Sequence, residues 1–303
     1  MNRFRFTFNT LAVLFFTLMV TTLAQAQAPR TWVSGNGNDF NTCTTTAAPC
    51  RTFTGALAKT AAGGEISVSA PGDFGPVSIN KSITIDGGGI GGSITASGVN
   101  GIVVSASPSD TVRLRNLSIN GVGSGINGIR YLSGKNLHVE NVTIQDFTSH
   151  GIDVNLGSND GNLTLKDSYI NNCVIVGVRM QVSTGTATAS LDRVRLQYCQ
   201  FGLDTVSGGS ATISNSVVSH NTSMGIVAEN ATVINVESTV VSNNSMGVVG
   251  FSGTALVRLS NTDIFNNGTG ISIAPGTTVA TFQNNRFAGN TIPGAPNLFL
   301  SQQ

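Results

Sequence analysis

Arg130, Asp153, Arg179 and Asp204 each stand two residues after a glycine, and those glycines (Gly128, Gly151, Gly177 and Gly202) recur every 23 to 26 residues. A second series of alternating sign, Arg115, Glu140, Lys166 and Asp192, keeps a similar spacing. Two chemistries fit such series. Guanidinium groups can grip acidic sugars while neighbouring carboxylates accept hydroxyls, which makes Arg130, Asp153, Arg179 and Asp204 the candidate ligand-binding residues. Stacked at strand spacing, about 4.8 Å, the same side chains can instead pair as ladders that fix register, each pair contributing roughly 0.2–1 kcal/mol. For catalysis the nearest set by position is Asp146, His150 and Asp153, two carboxylates with an imidazole between them, as the acid and base of a glycoside hydrolase require. A calcium-dependent lyase needs several carboxylates converging on the cation and a free basic residue, whereas each aspartate here has an arginine neighbour. No metal and no cofactor is expected.

The elements that must position these residues are read from the repeat. From about residue 112 an apolar residue opens each unit of 22 to 26 residues: Leu114, Val139, Leu165, Leu191, Ile213, Val236, Leu259 and Phe282. Five residues later runs a second apolar column, Ile119, Ile144, Ile170, Leu196, Val218, Val241, Ile264 and Phe287. A third follows the glycines: Ile129, Ile152, Val178, Leu203, Ile226, Val248 and Ile271. Three short alternating stretches per unit, each too small to bury its apolar face alone, predict stacked coils of three strands. Asn116, Asn141, Asp167, Asn215, Asn261 and Asn284 fall at one corner, where a bend needs a residue tolerant of left-handed dihedrals. Asn221, Asn244, Asn267 and Asn290 form a further column in which stacked amides can hydrogen-bond. Cys173 and Cys199 occupy that column in the two preceding units, close enough to be disulfide-bonded or free.

The chain ends read differently. Arg3 and Arg5, the apolar run Leu11 to Leu23 and Ala24-Gln25-Ala26 form a secretory signal pattern, too short to span a bilayer. The expected divisions are a signal peptide (1–26), an N-terminal cap (27–63) with a short amphipathic helix between Thr52 and Ala62, the solenoid (64–292) and a C-terminal cap (293–303). Export to the periplasm or the medium favours a disulfide between Cys43 and Cys50. No membrane span is expected after signal cleavage. A net charge of +1 over 303 residues offers no basic footprint for nucleic acid.

On these features the chain resembles the right-handed parallel β-helix, or pectin-lyase-like, superfamily. The stretch from Thr31-Trp32-Val33-Ser34-Gly35 through Pro49-Cys50-Arg51-Thr52-Phe53 to Gly63-Gly64-Glu65-Ile66 is similar to the opening segment of secreted bacterial β-helix proteins without assigned activity. The resemblance implies an all-β fold: a single right-handed parallel β-helix solenoid with three short strands per coil and a short N-terminal capping helix. It fixes no chemistry, because this fold hosts many reactions. Asn261-Thr262-Asp263 resembles the Asn-Thr-Asp signature of polygalacturonase-type hydrolases, but no paired aspartates, Gly-His-Gly or Arg-x-Lys follows, and Asp263 is expected to pair with Arg286. The expected function is noncatalytic binding of a polysaccharide or cell-surface glycan. The alternatives are a polysaccharide lyase or glycoside hydrolase acting on an acidic polysaccharide, and a structural or protein-interaction solenoid.

Overall fold

The computed structural model describes residues 27–157 and 160–301, so the expected signal segment, 1–26, lies outside the described residues. Apolar residues alternating with polar ones give strands with one inward face, and the inward faces meet in a common core. The coil at 187–207 is representative: strands Ala187–Asp192, Arg195–Gln197 and Phe201–Ser207 wrap around Leu191, Leu196 and Leu203, all fully buried. Neighbouring coils pair in parallel, with Leu165 over Leu191 over Ile213, Ile170 over Leu196 over Val218, and Val178 over Leu203 over Ile226. The first strands of the coils make a 12-stranded sheet. In two coils the second and third strands run on as one, Leu117–Ser133 and Thr143–Leu156. The described residues therefore form a right-handed parallel β-helix, all-β apart from helix α1, Phe53–Lys59.

Corners explain the asparagines. Asn116, Asn141, Asp167, Asn215 and Asn261 all have φ between 45° and 57°, and Asn141 donates to the Asn116 side chain at 2.8 Å. Arg193 and Ser238 fill the same left-handed corner in the remaining coils. The last coil departs from the expected register by one residue. Leu259 pairs with Thr281 rather than Phe282, and Gln283, not Asn284, takes the left-handed corner with φ 66°. Thr281 can face inward because its hydroxyl accepts from the Gln283 backbone at 2.9 Å and from the Asn285 amide at 2.8 Å. Phe282 turns outward instead, beside Phe299 and Leu300.

At the N-terminal end the Thr52 hydroxyl caps α1 by accepting from the Gly55 N–H at 2.9 Å. Phe53, Ala56 and Leu57 face the first coils, and the Phe53 ring lies 4.9 Å from that of Phe74. Cys43 and Cys50 are disulfide-bonded, and the Lys59 ammonium donates to the Asn41 carbonyl at 2.6 Å, tying this loop to the helix. At the far end, Leu298–Phe299 adds one more parallel strand to Thr278–Thr281, with both side chains exposed. No helix among the described residues is long and apolar enough to cross a membrane.

Candidate functional site

The glycine column brings the third strands close together. A β-carbon on Gly177 would lie 2.7 Å from the Gly202 carbonyl oxygen, and one on Gly202 would lie 2.6 Å from that of Gly225. Stacking thus forbids a side chain there, and the strand resumes with an inward aliphatic and then an outward residue. Those outward residues are in register: Arg130 beside Asp153, Asp153 beside Arg179, Arg179 beside Asp204, Asp204 beside Val227.

Burial separates the two charged series that look alike in sequence. Arg115, Glu140, Lys166 and Asp192 are solvated, with ion pairs such as Arg115–Asp86 at 3.2 Å and Lys166–Glu140 at 3.9 Å. Such pairs are worth little individually. In the other series Asp153 is only 4 % exposed and Asp204 only 7 %, so this row is not the open surface ladder expected from outward positions. It continues into Val227 and Val249, also buried, and is bordered by the half-buried side chains of Phe201, Met224 and Met246. The result is a strip that is ionic at one end and apolar at the other.

Within the strip the charges are shared unequally. Asp153 lies between two guanidinium groups, with Arg130 Nε 3.5 Å from Oδ2 and Arg179 Nη1 donating to Oδ1 at 3.4 Å. Arg179 also donates to the Gln181 side-chain oxygen on its own strand. Asp204 has no ion pair within 4 Å among the described residues, and its Oδ1 is buried without a hydrogen-bond partner. Burial, then repulsion from Glu229, raises the Asp204 carboxyl from 3.8 to about 7 against the opposing pull of Arg179. Burial also raises the Glu229 carboxyl. His150 is buried near Asp153 and the two arginines, and its Nδ1 lies 2.5 Å from the Ser149 hydroxyl. Burial lowers its proton affinity, Asp153 opposes that, and Arg179 and Arg130 reinforce it.

Of the candidate catalytic trio, the structure brings His150 and Asp153 together electrostatically and leaves Asp146 elsewhere. Asp146 sits at a left-handed corner with φ 63° and accepts from the Asn172 amide at 2.6 Å. Asp263 and Arg286 form the expected pair, with contacts of 2.5 and 2.6 Å. Cys173 and Cys199 are free, buried thiols; the hydrogen bond with Cys199, and then burial, push the Cys173 thiol well up. No cluster of three or more His, Cys, Asp or Glu suited to a metal occurs among the described residues. Glu229 lies just past strand Met224–Ala228, in register with Val206 and Phe251 of the adjacent coils, and escapes a reading by charge because those neighbours are apolar.

A carboxyl raised by folding keeps its proton where the unfolded chain has lost it. Between about pH 4 and pH 7 the folded state therefore binds the extra proton, and stability falls as pH rises through that window. Asp204→Asn is expected to stabilise the protein by about 2–4 kcal/mol at pH 8 and to converge with the parent near pH 4. Urea unfolding at both pH values measures this; a gap that does not shrink on acidification would mean that Asp204 is not held in this state.

A sequence family described as "Right handed beta helix region" matches residues 201–299. Among solved structures, the chain is similar to pectate lyase Pel9A, at 16% identity and a TM-score of 0.70, covering 90% of this chain and 78% of that one. It is also similar to the enzymatically active domain of bacteriophage CBA120 tailspike protein 2, at 16% identity and a TM-score of 0.54, covering 82% of this chain but 43% of the tailspike chain. The ORF18 protein of Geobacillus virus E2 aligns at 12% identity and a TM-score of 0.52, over 79% of this chain and 54% of that one. No curated protein matches the sequence. The fold is thus that of the right-handed parallel β-helix, pectin-lyase-like proteins.

Proposed function

We propose that the strip from Arg130 to Val249 binds a glycan chain without cleaving it, on a protein exported to the periplasm or the medium. The observation that carries this reading is the juxtaposition of buried carboxylates and part-exposed guanidiniums with the half-buried apolar side chains of Phe201, Met224 and Met246 along one face. Saccharides present hydroxyls that need donors and acceptors, and ring faces of C–H groups that favour apolar contact; few precisely placed polar groups among apolar ones suit such a ligand. The pectate lyase among the fold neighbours makes a glycan partner a natural choice. The Cys43–Cys50 bond fits an oxidising compartment. Asp153 is held between two arginines. One observation favours a second reading, glycoside hydrolysis: Asp204 keeps a proton near neutrality and has Glu229 as a second carboxylate.

The test is a screen of acidic, neutral and amino-bearing oligosaccharides, with assays for new reducing ends and unsaturated products. Binding without products is expected, and Phe201→Ala should weaken it about tenfold through lost apolar contact. Tyr198→Ala, which alters an exposed ring stacked on His220, should leave it unchanged. Product formation would replace binding by catalysis, and capture of no saccharide would defeat the glycan reading altogether.

A further inference from the structure

The charges of the strip do not balance locally. Both arginines contact Asp153, and Arg179 spends a second donor on Gln181. Asp204, more than nine-tenths buried, is left with an unpartnered oxygen. The next coils contribute only Val227 and Val249 to the row, so no cation follows it. In the next coil the Glu229 backbone N–H donates to the Thr205 carbonyl at 2.9 Å, one residue past Asp204, which brings a second carboxylate near whose charge repels the first. A buried acceptor without a protein donor is costly, and a water, an ion or a ligand group can complete it. A sugar hydroxyl would supply one donor and no charge, whereas an ammonium supplies three donors and a positive charge that favours the ionised form of a carboxyl beside it. A uronate would bring a third carboxylate to the same spot.

We infer that the saccharide bound by this strip carries free amino groups, with the ammonium of a hexosamine unit placed between Asp204 and Glu229. This rests on the glycan reading above and departs from the expectation that Arg130 and Arg179 grip acidic sugars. The half-buried Phe201 and Met224 provide the apolar surface for the ring face of the same unit or its neighbour.

Calorimetric titration of the exported protein with four hexamers tests it: β-1,4-linked glucosamine, its fully N-acetylated counterpart, cellohexaose and oligogalacturonate. The glucosamine hexamer should bind at least tenfold more tightly than the others, and more weakly as salt rises, because charge contacts near the surface are screened. Asp204→Asn should lose that preference by tenfold or more, and Glu229→Gln should reduce it severalfold. The first variant removes an unpaired buried carboxyl, and the second alters a half-buried turn residue, so neither should hinder folding. Glu140→Gln, which removes the same charge from the solvated ladder, should bind as the parent does. Equal binding of all four hexamers, or preference for the N-acetylated, neutral or acidic one, would overturn the amino-sugar inference while leaving the glycan reading standing. Preference for the glucosamine hexamer that survives both Asp204→Asn and Glu229→Gln would also overturn it. Binding of none of the four would overturn it together with that reading.

Discussion

Leu165→Asp and Ile170→Asp are each expected to destroy cooperative folding, or to lower the unfolding free energy by at least about 4 kcal/mol, measured by urea denaturation and thermal circular dichroism. Leu165 is fully buried between Val139 and Leu191, and Ile170 between Ile144 and Leu196. An aspartate at either place would meet aliphatic side chains above and below, with no cation in reach, and burying a lone carboxylate costs several kcal/mol. Total stability of an ordinary domain is about 5–15 kcal/mol, so one such change removes a large share of it. The solenoid has a further weakness: each coil holds only its two neighbours, so a failed middle coil uncouples the two halves. Thr164→Asp, at the outward position beside Leu165, should cost less than about 1 kcal/mol. If the inward variants unfolded like the parent, the register of these coils would be wrong.

The register was legible because each inward column is almost purely aliphatic, and a slip of one residue would turn it toward solvent. Where that rule is relaxed, the reading slips: Thr281 occupies an inward position only because local donors satisfy its hydroxyl, and an alignment by hydrophobicity prefers Phe282. The site is harder to read for a different reason. Column spacing places Arg179 between Asp153 and Asp204 but cannot tell that it will turn toward Asp153 and Gln181, leaving Asp204 alone. Nor does alternation distinguish an outward residue in solvent, such as Glu140, from one closed in by its neighbours, such as Asp153. Glu229 stands four residues after Gly225, but the equivalent positions in the adjacent coils are Val206 and Phe251, so no series of charges points to it.

The second large effect is expected in the amide ladder, where Asn244→Ala should destabilise the protein by about 3–5 kcal/mol. Asn244 is 3 % exposed. Its amide donates to Asn267 Oδ1 at 3.1 Å and to the Val218 carbonyl at 3.1 Å. Its Oδ1 accepts from the Asn221 backbone at 3.0 Å and from the Asn221 amide at 2.9 Å. Truncation therefore strands donors and acceptors on both adjacent coils, and each buried group left without a partner costs about 1–3 kcal/mol. The ladder also interlocks with the glycine column, since a β-carbon on Gly225 would sit 2.9 Å from Asn244 Nδ2 and one on Gly202 would sit 3.0 Å from Asn221 Nδ2. In the coils toward the N-terminus the same slot holds Cys199, Cys173 and Phe147 in succession, so the asparagines replace apolar filling by hydrogen bonds that run from coil to coil. Asn290, at the end of the ladder, accepts from Asn267 but donates to the Ile264 carbonyl rather than to a further asparagine, and is half-buried. Asn290→Ala should accordingly cost about 1–2 kcal/mol, less than Asn244→Ala, in urea denaturation under matched conditions. Equal costs at the two positions would mean that the amides fill space without coupling the coils.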